Sequence, residues 1–148
     1  MRKIILFALL IAIGGSCKKK KVVNQAEVDN KIITDYISNN NLNAAATGSG
    51  LYYVISKVGT GANPQPNTSV TVIYKGALAN GKVFDQSNAG GLTISLSSVI
   101  KGWQEGIPYF KKGGGKGVLL IPSALGYGAQ ATSGIPANSV LIFDVELP

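Results

Sequence analysis

Apolar and polar positions divide the chain into three stretches with different periods. Ile4 to Ile13 is an unbroken apolar run of ten residues, between Arg2-Lys3 and Gly14-Gly15-Ser16. From Asn24 to Asn41 apolar residues recur at helical spacing, at Val28, Ile32, Ile33, Tyr36 and Ile37. That spacing predicts one helix with a narrow apolar stripe. Asn24, with Glu27 three residues on, has the form of a capping box, and Asn39-Asn40-Asn41 ends the helix. Such a stripe fits docking on a neighbouring domain, pairing with another copy, or a spacer. Ala44 to Gly50 reads as a small-residue linker.

From Leu51 the period changes to two. Leu51 to Lys57 reads as a strand and Gly59 to Thr68 as a loop of Gly, Pro and Asn. Val70, Val72 and Tyr74 alternate with Thr71, Ile73 and Lys75, which predicts a half-buried strand. Asn80-Gly81 signals a hairpin into Lys82-Val83-Phe84. Leu92, Ile94 and Leu96 alternate again. Ser97 or Ser98 then caps a short helix with Val99, Ile100, Trp103 and Ile107 on one side, limited by Pro108. Gly113 to Gly115 is a turn, and Gly117 to Ile121 and Val140 to Glu146 are the last strands. Many short strands around one helix give an α+β class, with an antiparallel sheet packed on that helix.

The first apolar run is an address. A membrane-spanning helix needs ~20 apolar residues, so this run is too short to cross. It fits the core of a secretory signal followed by small residues. Cys17 at the boundary resembles a bacterial lipobox, although Gly14 stands where Leu is usual. The expected organisation is a lipoprotein signal over residues 1–16, a lipidated Cys17 with a basic tether over 17–23, a helix over 24–42, a linker over 43–50 and a domain over 51–148. The expected location is a bacterial export compartment, anchored to the periplasm-facing outer membrane through Cys17.

Charge changes the picture once it is divided. The formal charge is +7, from 14 Lys and Arg against 7 Asp and Glu. Arg2, Lys3 and Lys18 to Lys21 supply six of the fourteen, so from Val22 onward the balance is eight against seven. A nearly neutral domain lacks the basic face that nucleic-acid binding needs, and no nucleic-acid partner is expected. The chain has no His, and Cys17 is its one Cys. That excludes Ser-His, Cys-His and His-metal chemistry and any disulfide within the chain. No metal or cofactor is expected. Gly76 to Lys82 has phosphate-loop spacing, but Val83 stands where Ser or Thr must hold Mg²⁺, and the segment turns back into a strand. The carboxylates are too scattered to suggest a glycosidase pair.

The distinctive residues in order are Tyr74-Lys-Gly76, Gly81-Lys-Val-Phe84-Asp85, Val99-Ile100-Lys-Gly102-Trp103-Gln-Glu-Gly106, Leu120-Ile-Pro122, Gly126-Tyr127-Gly128, Gly134-Ile135-Pro136 and Phe143-Asp-Val-Glu-Leu147. Over about 100 of the 148 residues this order closely resembles the FKBP family of prolyl isomerases. The resemblance implies a five- or six-stranded antiparallel sheet around the short helix, with a preceding N-terminal helix. It also implies a site: Trp103 as the floor of an apolar pocket for the proline ring; Tyr74, Phe84, Val99, Ile100, Tyr127 and Phe143 around it; Leu92 and Ile135 nearer the rim. Ile100 N–H and the Tyr127 hydroxyl are the implied donors to substrate carbonyls, and Asp85 orients polar groups at the edge. Asp85, Tyr127, Trp103 and Phe84 are the implied catalytic set. Proline-containing exported polypeptides are the implied substrates, and the macrolides tacrolimus and rapamycin the implied ligands.

The inventory suits that reaction. Rotation about an Xaa-Pro amide crosses a barrier of ~18–20 kcal/mol set by C–N resonance. Water favours the planar, more dipolar amide over the twisted one, so a dry aromatic pocket removes that preference. No proton or covalent bond need move. The competing expectation is an FKBP-shaped chaperone or binding module with little turnover. Leu92 replaces a frequent aromatic, Ala129 to Gly134 departs from the usual flap, and Ala137 follows Ile135-Pro136 where a second Pro is usual. These departures bear on substrate preference and macrolide affinity more than on activity.

Overall fold

The computed structural model describes residues 23–148. The expected signal, Cys17 and Lys18 to Lys21 lie outside the described residues. The elements in chain order are α1 (Gln25–Asn39), β1 (Ala45–Ala46), β2 (Tyr52–Lys57), β3 (Ser69–Leu78), β4 (Val83–Gln86), β5 (Leu92–Ser95), α2 (Lys101–Gly106), β6 (Gly115–Ile121) and β7 (Leu141–Leu147), with short 3₁₀ turns at Leu96–Ser98, Ile107–Tyr109 and Ser123–Leu125. The sheet runs β1-β2-β6-β7-β3-β4, antiparallel throughout. Ser69 to Val72 of the long β3 pair with β5, and Ile73 to Leu78 pair with β7. Among the described residues the strand count is thus seven. The extra one is β1, in the segment expected to be a plain linker: Ala45 and Ala46 face Tyr53 and Tyr52 across a turn closed by Thr47 N–H to the Leu51 carbonyl.

Both faces of the central strands are covered. In β6 and β7, Leu119, Ile121, Leu141, Phe143, Val145 and Leu147 join Trp103, Ile107 and Phe110 in the main core. Their alternate neighbours Leu120 and Ile142, with Val140, close around Ile33 of α1. Period two sends adjacent side chains to opposite faces, so the unbroken runs Val118 to Ile121 and Leu141 to Phe143 serve two layers. Of the three roles open to the first helix, docking on the domain is the observed one. Ile33 is fully buried, a contribution of about 1.5–3 kcal/mol.

Two expected caps differ. Asn24 makes no side-chain cap; its Nδ2 donates instead to Glu27 Oε1 at 2.9 Å, so the two side chains satisfy each other rather than the helix amides. Ser97 and Ser98 do not cap α2 either. Ser98 Oγ donates to the Ser95 carbonyl at 2.9 Å, and Ser97 Oγ lies 2.8 Å from Ser95 Oγ, so both close the preceding 3₁₀ turn. Helix α2 starts after Ile100 and ends at Gly106, and Pro108 sits in the 3₁₀ turn that follows.

Candidate functional site

A cleft of about 330 Å³ opens between α2, β3 and β5, lined by Tyr74, Asp85, Leu92, Ile94, Ser98, Val99, Ile100, Trp103, Tyr127 and Phe143. Helix α2 places Trp103 at its base. The indole is buried yet faces the cleft, and its Nε1 has no hydrogen-bond partner. Tyr74 from β3 meets the indole edge-on at 5.1 Å and 86°, and Phe143 from β7 at 5.2 Å and 81°. Phe84 from β4 stands edge-on to Phe143 at 5.5 Å. Each perpendicular pair adds ~0.5–1.5 kcal/mol beyond burial, because a positive ring edge meets a negative face. Gly76 makes room for this cluster: a Cβ there would lie 2.6 Å from the Phe143 ring and 2.8 Å from the Phe84 ring.

One polar pair is built into the wall. Asp85 faces Gly76 across the β3–β4 pairing, which brings it alongside the strand that carries Tyr74. The Tyr74 hydroxyl donates to Asp85 Oδ2 at 2.8 Å. Burial, and then the hydrogen bond and charge of Asp85, push the Tyr74 phenol up to about 12, from the usual 10. Among the described residues Asp85 is the one charged side chain lining the cleft. Tyr127 lines the cleft with its ring partly exposed, and Leu92 is exposed at the rim. Chemically, the arrangement is a dry aromatic floor with a single carboxylate at its edge.

Of the ten pocket residues expected from the sequence, the structure brings eight to the cleft. Phe84 packs behind Phe143, and Ile135 is buried in the main core instead of sitting near the rim. A one-pair β-bridge joins Ile135 to Thr132 in an otherwise exposed segment. Ile94 and Ser98 line the cleft without having been singled out. The signal for Ile94 was available, since period two puts it on the same face as Leu92. Ser98 carried no such signal. A groove of similar size, about 340 Å³, crosses the exposed ion pairs Lys75–Asp144 (3.2 Å) and Lys116–Glu146 (2.8 Å). Its lining includes Tyr74 but neither Trp103 nor Phe143, and solvated pairs of this kind contribute little.

Fold and cleft together define a small antiparallel-sheet domain with a preformed aromatic pocket for a ring-sized apolar group. The similarities to known proteins agree. Residues 61–148 match the family described as FKBP-type peptidyl-prolyl cis-trans isomerase. The protein named FKBP-type peptidyl-prolyl cis-trans isomerase FkpA from Buchnera aphidicola subsp. Schizaphis graminum is 53% identical over 104 residues, 68% of this chain and 41% of that protein. Its namesake from Escherichia coli strain K12 is 47% identical over 103 residues, 68% of this chain and 38% of that protein. The crystal structure of FkpA from Escherichia coli superimposes with a TM-score of 0.73 at 39% identity, over 83% of this chain and 59% of that one. A peptidyl-prolyl cis-trans isomerase from Pseudomonas syringae pv. tomato gives 0.70 at 30% identity, over 86% and 96%. The chain belongs to the FKBP-type peptidyl-prolyl cis-trans isomerase family. It spans about two fifths of the length of these curated relatives.

Proposed function

We propose that this chain catalyses cis/trans rotation about Xaa-Pro bonds in exported polypeptides. The observation that carries the reading is the Trp103-floored cleft, open at Tyr127 and Asp85. A proline ring set against Trp103, Tyr74 and Phe143 leaves its amide in a site where few waters solvate the planar dipole. The twisted amide then loses less than it does in bulk water. Ile100 N–H and the Tyr127 hydroxyl are the donors assigned to substrate carbonyls on either side of the bond. Asp85, Tyr127, Trp103 and Phe84 form the proposed catalytic set, with Phe84 acting through Phe143. Val99, Ile100, Leu92, Tyr74 and Phe143 hold the substrate, and Ile135 backs the wall.

A protease-coupled assay on Xaa-Pro peptides tests this. Uncatalysed isomerisation takes about 10–100 s at 25 °C. Rates no faster than this at micromolar enzyme would leave only a binding module. The rate should also be nearly flat from about pH 5 to 8, because no His is present to titrate there. Tyr74 does not disturb that window. Its folded value is raised, so the stability its protonated phenol contributes is complete below the unfolded value of 10 and is lost as pH rises through about 12. A steep bell in the pH–rate profile would contradict the chemistry.

The cleft also suits macrolides such as tacrolimus and rapamycin, whose ring systems would stack on the indole. Trp103 is the one Trp, so its emission reports on the cleft alone. Saturating macrolide should shift or quench it, and an unchanged spectrum would remove the macrolide assignment.

We further propose that Cys17 carries the lipid that holds the chain to the periplasm-facing outer membrane. Lys18 to Lys21 would add about 1 kcal/mol each near an anionic surface. Cys17→Ser should release the protein from the membrane fraction, and undiminished retention would count against lipidation.

A further inference from the structure

We infer that Asp29 of α1 is a positioning residue for the Tyr127 wall of the cleft. Asp29 is 1% exposed, a rare setting for a carboxylate. Its Oδ2 accepts from the Ser123 backbone N–H at 2.8 Å and from Ser123 Oγ–H at 2.6 Å. Its Oδ1 accepts from Gln25 Nε2 at 2.7 Å. Ser123 is itself 2% exposed and begins the 3₁₀ turn that leads to Tyr127. The Ser123 carbonyl in turn accepts Gly126 N–H at 3.0 Å and Gly128 N–H at 2.8 Å, so the loop bearing Tyr127 closes on one residue. The Gly128 carbonyl then accepts Asn138 N–H at 2.8 Å. A chain of short bonds therefore runs from the first helix to the two amides that bracket the Tyr127 ring.

The sheet core does not explain this link. A helix held only by Ile33 and its neighbours would need no buried carboxylate; here the carboxylate pairs the buried Ser123 backbone N–H, which an apolar side chain would leave unsatisfied. The carboxylate gives what an apolar contact lacks, a fixed direction and length to a particular backbone N–H. Asp29 lies outside the segment matched by the family, whereas Ser123 and Tyr127 lie inside it. The first helix is thus part of the site's scaffold.

The experiment compares Asp29→Ala and Ser123→Ala with Ile33→Val, which thins the α1 contact without touching the carboxylate. The kinetic arm rests on the isomerase reading, so amide hydrogen exchange at Gly126 and Gly128 is measured in parallel on the same full chains. Asp29→Ala should lower kcat/KM on Xaa-Pro peptides about tenfold, since small misplacements of a binding group carry large penalties. It should also raise exchange at Gly126 and Gly128 at least tenfold relative to Ile33→Val. Ser123→Ala keeps the N–H bond and should fall between. Asp29→Asn keeps an acceptor and should recover most of the loss. If Asp29→Ala and Ile33→Val match in both kcat/KM and exchange, the inference fails, and Asp29 serves only to hold the helix. If Asp29→Ala does not fold, Ser123→Ala against Ile33→Val decides by the same readouts. An inactive wild-type chain would remove the isomerase reading alone, and the exchange at Gly126 and Gly128 would still decide the role of Asp29.

Discussion

Asp85→Leu is expected to lower kcat/KM on Xaa-Pro peptides by about 10- to 100-fold, a rise of about 1.4–2.7 kcal/mol in the barrier. Among the described residues Asp85 is the one formal charge on the cleft wall, and the Tyr74 hydroxyl fixes one of its oxygens at 2.8 Å. As the amide twists, the nitrogen lone pair localises, the carbonyl oxygen loses negative charge, and the carbonyl carbon grows more positive. A held anion favours that redistribution. At an effective dielectric of about 20, two unit charges about 4 Å apart interact by about 4 kcal/mol. A fraction of a unit charge developing at the carbonyl therefore gives an effect of the stated size. The alternative is that Asp85 acts only by holding the Tyr74 ring against Trp103. Three variants separate the two. Asp85→Asn keeps an acceptor and loses the charge, so it should fall nearly as far as Asp85→Leu. Tyr74→Phe keeps the ring and should fall only a few-fold. The double variant should be little worse than Asp85→Leu alone, because the two groups act as a coupled pair. Near-normal activity of Asp85→Asn would sink the electrostatic account.

Much of this site was legible because each of its walls has a local signature. Trp103 falls on a short helix limited by Pro108, with Val99 and Ile100 in the extended residues just before it, and Tyr74 and Asp85 flank a hairpin marked by Asn80-Gly81. The hairpin forms as expected: Leu78 N–H donates to the Lys82 carbonyl at 2.9 Å, and Gly81 takes φ +88°. What stayed hidden depended on pairings far apart in sequence. Helical phase places Asp29 within the apolar stripe, four residues before Ile33 and seven before Tyr36, and the exposed Asp35, which pairs with Lys31 at 2.8 Å, on the other side, but phase alone names no partner for Asp29. The partner of Asp29 is 94 residues away. The capping-box pattern at Asn24 and Glu27 failed for a local reason, since the two side chains found each other first. Phe84 and Ile135 were expected at the cleft because they belong to the family pattern, yet pattern does not distinguish a residue that touches the ligand space from one that packs behind it. Seen this way, the apolar runs in β6 and β7 were the overlooked clue. A strand with one wet face alternates, whereas Val118 to Ile121 does not, and that lack of alternation already requires a second covering layer. The first helix supplies it.

Gly117→Ala should destabilise the fold more than any substitution at the cleft rim. Gly117 lies in β6 between two partners, opposite Ile55 of β2 and Val145 of β7. A Cβ there would fall onto the Val54 carbonyl oxygen and lie 2.6 Å from the Phe110 ring and 2.9 Å from the Val54 carbonyl carbon. Neither obstacle can swing aside. The carbonyl is backbone beside a register shift in the β2–β6 pairing, and Phe110 is fully buried in the main core. Relief would have to come from parting β2 from β6, which loses ladder hydrogen bonds as well as packing. Overpacking of a rigid core costs about 1–3 kcal/mol, and backbone displacement carries this case to about 4 kcal/mol or more. A domain of this size has only about 5–15 kcal/mol in hand. The melting temperature followed by far-UV circular dichroism should therefore drop by about 15 °C or more. Gly48→Ala provides the contrast. Gly48 also tolerates no side chain easily, because its φ is +96°, but nothing lies within 4 Å of the added Cβ. Its penalty is backbone strain of about 1–2 kcal/mol, a shift of a few degrees. Equal shifts in the two variants would mean that β2 and β6 separate freely at Gly117, and the close packing that seats Phe110 beneath the sheet would have to be rejected.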